Sequence, residues 1–398
     1  MADTACSVHD DIFLLCEYDL GVSLHSKEYA FSGNIPYGRF FLSSCGGSHC
    51  AWRDSACELT AVDLTLYLQP FLISFSVAVF LLLLFRGALA RVKTSLPVRR
   101  WGGVAVILAS LLAIITHPHL VVTPVIVGVL VGSVLILFFG IWDDVSTLDW
   151  KAQLFFQIFL GAMLFAFGMR IFSIPVPFVG QVFVNTLPGG AAIGCAVLIL
   201  WVVFVMNVLN WVDGIDGLLS SVSLLSLFAL LFLALSPQVN QPPVGILSVA
   251  LAGAVLGLLL FNVPPSRFFA GTSGSFFIGF AVASISVLSG TKIATALLVL
   301  SLPVLDALWV FADRLCAGVS PFRGGDARHL HYRLREIGWS DRRILLWYTF
   351  YTGVVGLLAL STGTLGKTFS FILVGVVVLS FLFWARKQTI ALRAPQRV

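Results

Sequence analysis

Charge is scarce in this sequence. Of its 398 residues only 11% are Asp, Glu, Lys or Arg, while 59% are hydrophobic and the mean hydropathy is +0.99. Soluble domains carry about 25% charged residues, so a soluble globular fold is excluded. The chain also lacks a P-loop, a GxGxxG fingerprint and any nucleic-acid module, which removes Walker-type nucleotide hydrolysis, dinucleotide binding and nucleic acid as a partner. Residues 1–61 contain no basic stretch followed by an apolar one, so they do not read as a signal peptide. No internal repeat is found, which counts against a secondary transporter built from repeated halves.

Long uncharged runs are abundant: 64–85, 101–142, 152–169, 171–212, 217–266, 268–291, 344–366 and 368–385. A crossing needs about 20 apolar residues, so the longest runs hold two each. Breaks fall at His117-Pro-His119 and at 236–243. The expected fold is an all-α polytopic membrane protein. Its eleven expected helices lie near 64–85, 102–116, 121–141, 152–169, 190–207, 217–235, 244–262, 275–289, 292–310, 344–361 and 368–384. With the loop after helix 1 inside, inner segments hold eighteen Lys and Arg and outer loops only Arg170, Lys292 and Lys367. That asymmetry predicts the N-terminus out and the C-terminus in.

Three regions follow. Residues 1–61 form a polar tail with Cys6, Cys16, Cys45, Cys50 and Cys57, an odd set that is a weak disulfide framework; no function is assigned to it. Residues 62–385 form the membrane domain, including a 312–343 inner loop, and 386–398 a basic inner tail. Cys195 and Cys316 read as packing residues.

Ten of the nineteen acids lie beyond residue 140, all on the predicted inner face. Carboxylates beside lipid are costly and usually functional. Asp143 and Asp144 close helix 3, where acids oppose the helix dipole; such a pair suits Mg²⁺ together with a phosphate. Asn207, Asn210, Asp213 and Asp216, spaced by three, share one face if the helix continues through them, and Gly214 and Gly217 allow close approach of a ligand. Gly271-Thr272-Ser273 precedes helix 8, where backbone N–H groups can meet a phosphate. In the long inner loop, Arg323, Arg328, His329, His331 and Arg333 suit a diphosphate. Lys151 is a candidate phosphate contact.

In this order the motifs resemble the polyprenyl-phosphate N-acetylhexosamine-1-phosphate transferases, the glycosyltransferase family 4 type. That family starts O-antigen, enterobacterial common antigen, teichoic acid linkage units and, through the peptidoglycan translocase, cell wall. The likeness covers about 64–384. Leu96-Pro-Val-Arg99-Arg-Trp-Gly102-Gly103 is similar to the lead-in to the family's second helix. Asp143-Asp144 with Leu148 and Gln157 resembles its aspartate pair, and Asn207 to Gly217 matches N-x-x-N-x-x-D-G-x-D-G without a gap. His329-Leu-His331 and Arg333 resemble the H-x-H-H-R loop of the branch that uses simple UDP-N-acetylhexosamines. Two positions depart: Thr272 stands where the family has a metal-binding aspartate, and Tyr332 where it has a second histidine.

The resemblance implies a bacterial inner-membrane enzyme with its site on the cytoplasmic side. A polyprenyl (undecaprenyl) phosphate would attack the β-phosphorus of a UDP-amino sugar such as UDP-GlcNAc, releasing UMP. Asp143, Asp144, Asp213 and Asp216 would be catalytic and hold Mg²⁺, or Mn²⁺ in its place. Asn207, Asn210, Lys151, Gly271, Thr272, Ser273, Arg323, Arg328, His329, His331 and Arg333 would bind substrate. Membrane lipid is a further partner, and a homodimer is left open as the assembly. The competing classes are a transporter of an anionic metabolite and a catalytically silent relative, the second suggested by Thr272.

Overall fold

The computed structural model describes residues 64–91, 98–176, 180–237, 239–288, 293–319 and 328–393. Residues 1–63, 92–97 (with Leu96 and Pro97), 177–179, 238, 289–292, 320–327 (with Arg323) and 394–398 lie outside the described residues.

The chain is all-α and multi-pass. In order come α1 (Leu64–Arg91), α2 (Gly102–Ile115), α3 (Pro124–Ser146), α4 (Trp150–Ala166), a two-stranded antiparallel hairpin of β1 (Ser173–Val176) and β2 (Gly180–Phe183), and α5 (Gly190–Val212). Then follow α6 (Leu218–Leu235), α7 (Pro242–Asn262), α8 (Gly271–Leu288), α9 (Ile293–Val299), α10 (Ser301–Cys316), α11 (Leu330–Glu336), α12 (Asp341–Ser361) and α13 (Thr364–Arg393).

Ten of the eleven expected helices each correspond to one helix; the stretch expected as one helix over 292–310 is broken into α9 and α10. Eight helices among the described residues are long and apolar enough to cross a bilayer, or nine if α9 and α10, bent by 78°, count as one span. The remaining two apolar helices are α2 and α4, of 14 and 17 residues. At 1.5 Å per residue α2 is about 21 Å long, short of the ~30 Å hydrocarbon layer.

Local chemistry sets several ends. Thr123 caps α3 through its side chain, accepting the Ile126 N–H, with Pro124 behind it. Ser340 caps α12 in the same way. The helices α6, α7 and α8 are the most buried spans: α8 packs on α3 and α5, while α7 packs on α1, α2 and α6. The buried side of α8 includes Phe276, Phe277 and Phe280, and exposed Leu and Phe on α1 and α13 face outward, as lipid-facing positions do.

Four helix ends differ from the sequence reading. Helix α3 runs to Ser146, so Asp143 and Asp144 sit inside its last turn. Helix α5 stops at Val212, so Asp213 is its C-cap and Asp216 lies in a turn, not on a continuing helix. Helix α8 starts at Gly271, so Thr272 and Ser273 form its first turn. Helix α13 also carries on through the basic residues expected as a tail, up to Arg393. Cys195 is half-buried, whereas Cys316 is exposed at the end of α10 and does not pack.

Candidate active site

Three chain ends meet where α3, α5 and α8 come together. The first turn of α8 has backbone N–H groups with no partner in the helix itself. Asp144 supplies the acceptors from α3: Oδ1 takes the Thr272 N–H (2.8 Å), and Oδ2 takes the Ser273 N–H (3.2 Å) and hydroxyl (2.9 Å). The positive end of the α8 dipole favours this carboxylate. Close approach requires glycine at two places. A Cβ on Gly140 of α3 would overlap Ser273, and one on Gly103 of α2 would overlap Gly274. Gly271 has φ +67°, and a Cβ there would sit 2.8 Å from both Asp144 oxygens.

The segment 98–103 pairs with the α7–α8 loop, through Phe269 N–H to Arg99 C=O (2.7 Å) and Gly103 N–H to Ala270 C=O (3.0 Å). This brings Arg100 beside the acids, with its guanidinium on the Asp144 carbonyl (3.5 Å). Asp143 has a different neighbourhood: its Oδ1 accepts the Leu148 N–H and the Gln153 amide, both at 2.9 Å, tying down the α3–α4 turn. Any ligand role for Asp143 falls to Oδ2.

The turn after α5 is held from α7. Asn262 Oδ1 accepts the Gly217 N–H (2.9 Å) and the Ser220 hydroxyl (3.2 Å), and Nδ2 donates to the Phe268 carbonyl (2.7 Å). Asp216 Oδ2 accepts the Ser266 N–H (2.9 Å). Asp213 is left among acids. Burial, then the Asp144 and Asp216 charges, push its pKa up to about 8, with the Gly271 N–H and Arg100 only partly offsetting them. Asn210 accepts the Ser275 hydroxyl (2.7 Å). Asn207 pairs with Gln157 of α4 (2.6 Å), a link between helices more than a ligand-facing group.

Asp213 opens on a cavity of about 870 Å³ between α4, α5, α10 and α11. Its polar end carries Asn207, Asn210, Asp213, Arg314, His329 and Tyr332. Its other walls are apolar, including Leu154, Leu200, Val203, Phe204, Leu308 and Phe311, and Leu200 and Leu308 remain exposed on the outer surface of the bundle.

The predicted loop residues separate. His329 lines the cavity. His331 does not; it is buried against Gly214 with Nε2 unbonded, and burial lowers its pKa to about 4. Tyr332 takes the lining position instead. Arg328 and Arg333 converge with Arg386 of α13 on Asp313 (3.7, 3.4 and 2.9 Å). Lys151 is exposed, over the Trp150 ring.

Arg100, Gln153, Asn262, Asp306 and Arg314 were not singled out from sequence. Asp306 could have been, as an acid inside an apolar helix; Asn262 gave only the signal of a lone amide at a helix end.

In ligand type and charge the site fits a hard divalent cation: Asp144, Asp213 and Asp216 supply carboxylate oxygens, and Asp213 would release its proton to solvent on binding one. Among the described residues, however, no three His, Cys, Asp or Glu side chains already stand as a ligand cluster.

Residues 126–290 match the model of glycosyl transferase family 4. The chain is 24% identical over 253 residues to the probable undecaprenyl-phosphate N-acetylglucosaminyl 1-phosphate transferase of Bacillus subtilis (strain 168), covering 62% of this chain and 68% of the relative. It is 36% identical over 137 residues to the decaprenyl-phosphate N-acetylglucosaminephosphotransferase of Mycobacterium leprae (30% and 34%). Against the phospho-N-acetylmuramoyl-pentapeptide-transferase of Bacillus pumilus it is 34% identical over 122 residues (30% and 36%). The matched segment thus spans about a third of the length of these last two relatives.

Proposed function

We propose that the chain, whose residues 126–290 match glycosyl transferase family 4, transfers an N-acetylhexosamine 1-phosphate to a polyprenyl phosphate. One observation carries the reading. A buried acidic cluster opens on a cavity whose far walls are apolar and include Leu200 and Leu308, exposed on the outside of the bundle, so a phosphate head and a prenyl chain fit one continuous site. The names of the relatives, which pair a polyprenyl phosphate with an amino-sugar phosphate, support it.

The lipid phosphate oxygen forms a bond to the β-phosphorus of a UDP-N-acetylhexosamine, and the bond to UMP breaks. The second pKa of a phosphate monoester is about 6, so the nucleophile is largely ionised and needs little base. Charge and alignment are the greater demand. Mg²⁺ or Mn²⁺, when held by Asp213 with Asp144 and Asp216, would neutralise diphosphate charge. Asp144 keeps the α8 turn in place, Arg100 offsets the acids, and His329, Arg314 and Asn210 line the polar end for the nucleotide. Arg328 and Arg333 act indirectly by fixing α11. The enzyme would work at the cytoplasmic face of a bacterial inner membrane and start a cell-surface glycan such as O-antigen or a wall polymer.

The test is lipid product formed by membranes carrying the protein, given polyprenyl phosphate, Mg²⁺ and a panel of labelled UDP-amino sugars. No product with any sugar, beside an active relative as control, sinks the proposal. Thr272 favours a second reading, a silent relative, because the first turn of α8 offers the site a backbone N–H but no carboxylate.

A further inference from the structure

Asp306 lies on α10, 4% exposed, on a span whose other residues are largely apolar. A carboxylate in that position is costly unless both oxygens are satisfied. Oδ1 accepts the Leu330 N–H (2.8 Å), the first backbone N–H of α11, and Oδ2 meets His329 Nδ1 at 2.9 Å. A carboxylate offers acceptors only, so in this contact Nδ1 carries the hydrogen and donates. The ring is then held at one edge. Its other face leans on Trp211, with centroids 5.7 Å apart, and on His331 at 5.8 Å. Among the described residues Nε2 has no hydrogen-bond partner, and His329 lines the cavity beside Asp213 and Asn210.

We propose that Asp306 is a positioning residue which fixes the tautomer and orientation of His329, presenting Nε2 to a phosphate oxygen of the sugar nucleotide. The inference rests on the transfer reaction proposed above. The carboxylate does two things at once. It binds the Nδ1 proton, and its charge supports a protonated ring when an anion arrives, so that Nε2 becomes a donor to phosphate. A carboxylate–histidine pair does this wherever the far nitrogen must stay in one state. Nothing else described on α10 or α11 bonds to the ring, so removing Asp306 frees it.

Two measurements test this. The first needs no activity. In protein labelled with ¹⁵N-histidine, the His329 signals, assigned by their loss in His329→Gln, should show Nδ1 protonated in the natural chain and not in Asp306→Asn. If the natural chain has Nδ1 bare, the proposal is overturned whatever the protein does. The second uses UDP as probe, read by tryptophan fluorescence. Asp306→Asn should weaken UDP binding about tenfold or more, the factor carried by one charge-assisted hydrogen bond, and raise KM for the sugar nucleotide more than it lowers kcat.

The double variant Asp306→Asn, His329→Gln should bind UDP no worse than His329→Gln alone, because Asp306 acts through the ring. Additive losses would mean that Asp306 only caps α11, and would overturn the proposal. Asp306→Glu, which keeps the charge, should recover part of the affinity; if Asp306→Asn fails to fold, Asp306→Glu carries the same comparison with a displaced carboxylate. If the natural chain has the stated tautomer but does not bind UDP, the phosphate role falls and the transfer reading falls with it. UDP binding with unchanged affinity in Asp306→Asn removes this inference alone.

Discussion

Asp144 and Asp213 are neighbours in one acidic cluster, yet their removal should have opposite consequences for stability. Asp144 accepts two backbone N–H groups and one hydroxyl from the first turn of α8. In Asp144→Asn the amide oxygen can keep one of the two backbone bonds. The NH₂ then faces the other N–H, while the Ser273 hydroxyl can turn round to accept. One buried N–H is orphaned and a charge is lost from the positive end of a helix. An orphaned donor costs about 1–3 kcal/mol and the dipole about 0.3–1 kcal/mol, so the loss should be about 1–4 kcal/mol. Asp213 differs. Burial and the adjacent Asp144 and Asp216 charges push its pKa up to about 8, so at pH 7 without a cation it is mostly a neutral carboxyl, and Asn is close to it in shape. Asp213→Asn should therefore leave the apparent Tm of the cation-free protein within about 0.5 kcal/mol of the natural chain. It should instead abolish stabilisation by Mg²⁺, which for a specific site is about 2.7 kcal/mol at a hundred times Kd. Both variants should lose turnover by orders of magnitude. Thermal unfolding of purified protein with and without Mg²⁺, run beside the transfer assay, decides it. An unshifted Tm in Asp144→Asn, or a Tm that falls equally in both variants, would refute the capping argument. A natural chain whose Tm ignores Mg²⁺ would refute the cation site.

Thr272 serves α8 through its backbone, so Thr272→Ala should keep the Tm unchanged; Thr272→Asp should lower the Mg²⁺ concentration for half-maximal rate, and unchanged metal dependence in an active enzyme would remove position 272 from the cation site. His331 has its pKa lowered to about 4, first by burial, below the ordinary 6.5; its stabilising share is therefore complete above pH 6.5 and lost as pH falls from there towards 4. The Tm should drop between pH 7 and 5 with a slope that His331→Gln flattens, and an equal slope in that variant would be evidence against the assignment. Gly140→Ala forces a Cβ into Ser273 and should cost about 1–3 kcal/mol, read as a lower Tm; an unchanged Tm means that α3 and α8 can separate freely. In a cysteine-free background, a cysteine at Ser320 should react only with reagent on the cytoplasmic side and one at Gln241 only from outside, and the reverse pattern would invert the topology.

The fold class was legible because hydrocarbon length leaves little freedom: runs of about 20 apolar residues between polar breaks had to become helices, although the run over 292–310 is broken into two helices bent by 78°. The aspartate pair, the Asn207–Asp216 series and the small residues before helix 8 were legible as a group because polar residues in so apolar a chain stand out. Their individual duties were not. The three-residue spacing of Asn207, Asn210, Asp213 and Asp216 implied one helical face, but α5 ends at Val212, and Asn262, which the spacing does not contain, holds the turn that follows. Asp143 and Asp144 are adjacent in sequence and face different elements, one the α3–α4 turn and the other α8. Arg328 and Arg333 read as diphosphate ligands because arginine forks suit phosphate, while packing gave them Asp313. Composition and periodicity are local and survive in the sequence. Which carboxylate meets which N–H, and whether an arginine meets a ligand or another side chain, depends on segments as far apart in sequence as Arg99 and Phe269 being brought within hydrogen-bond distance, and only the packed helices decide that.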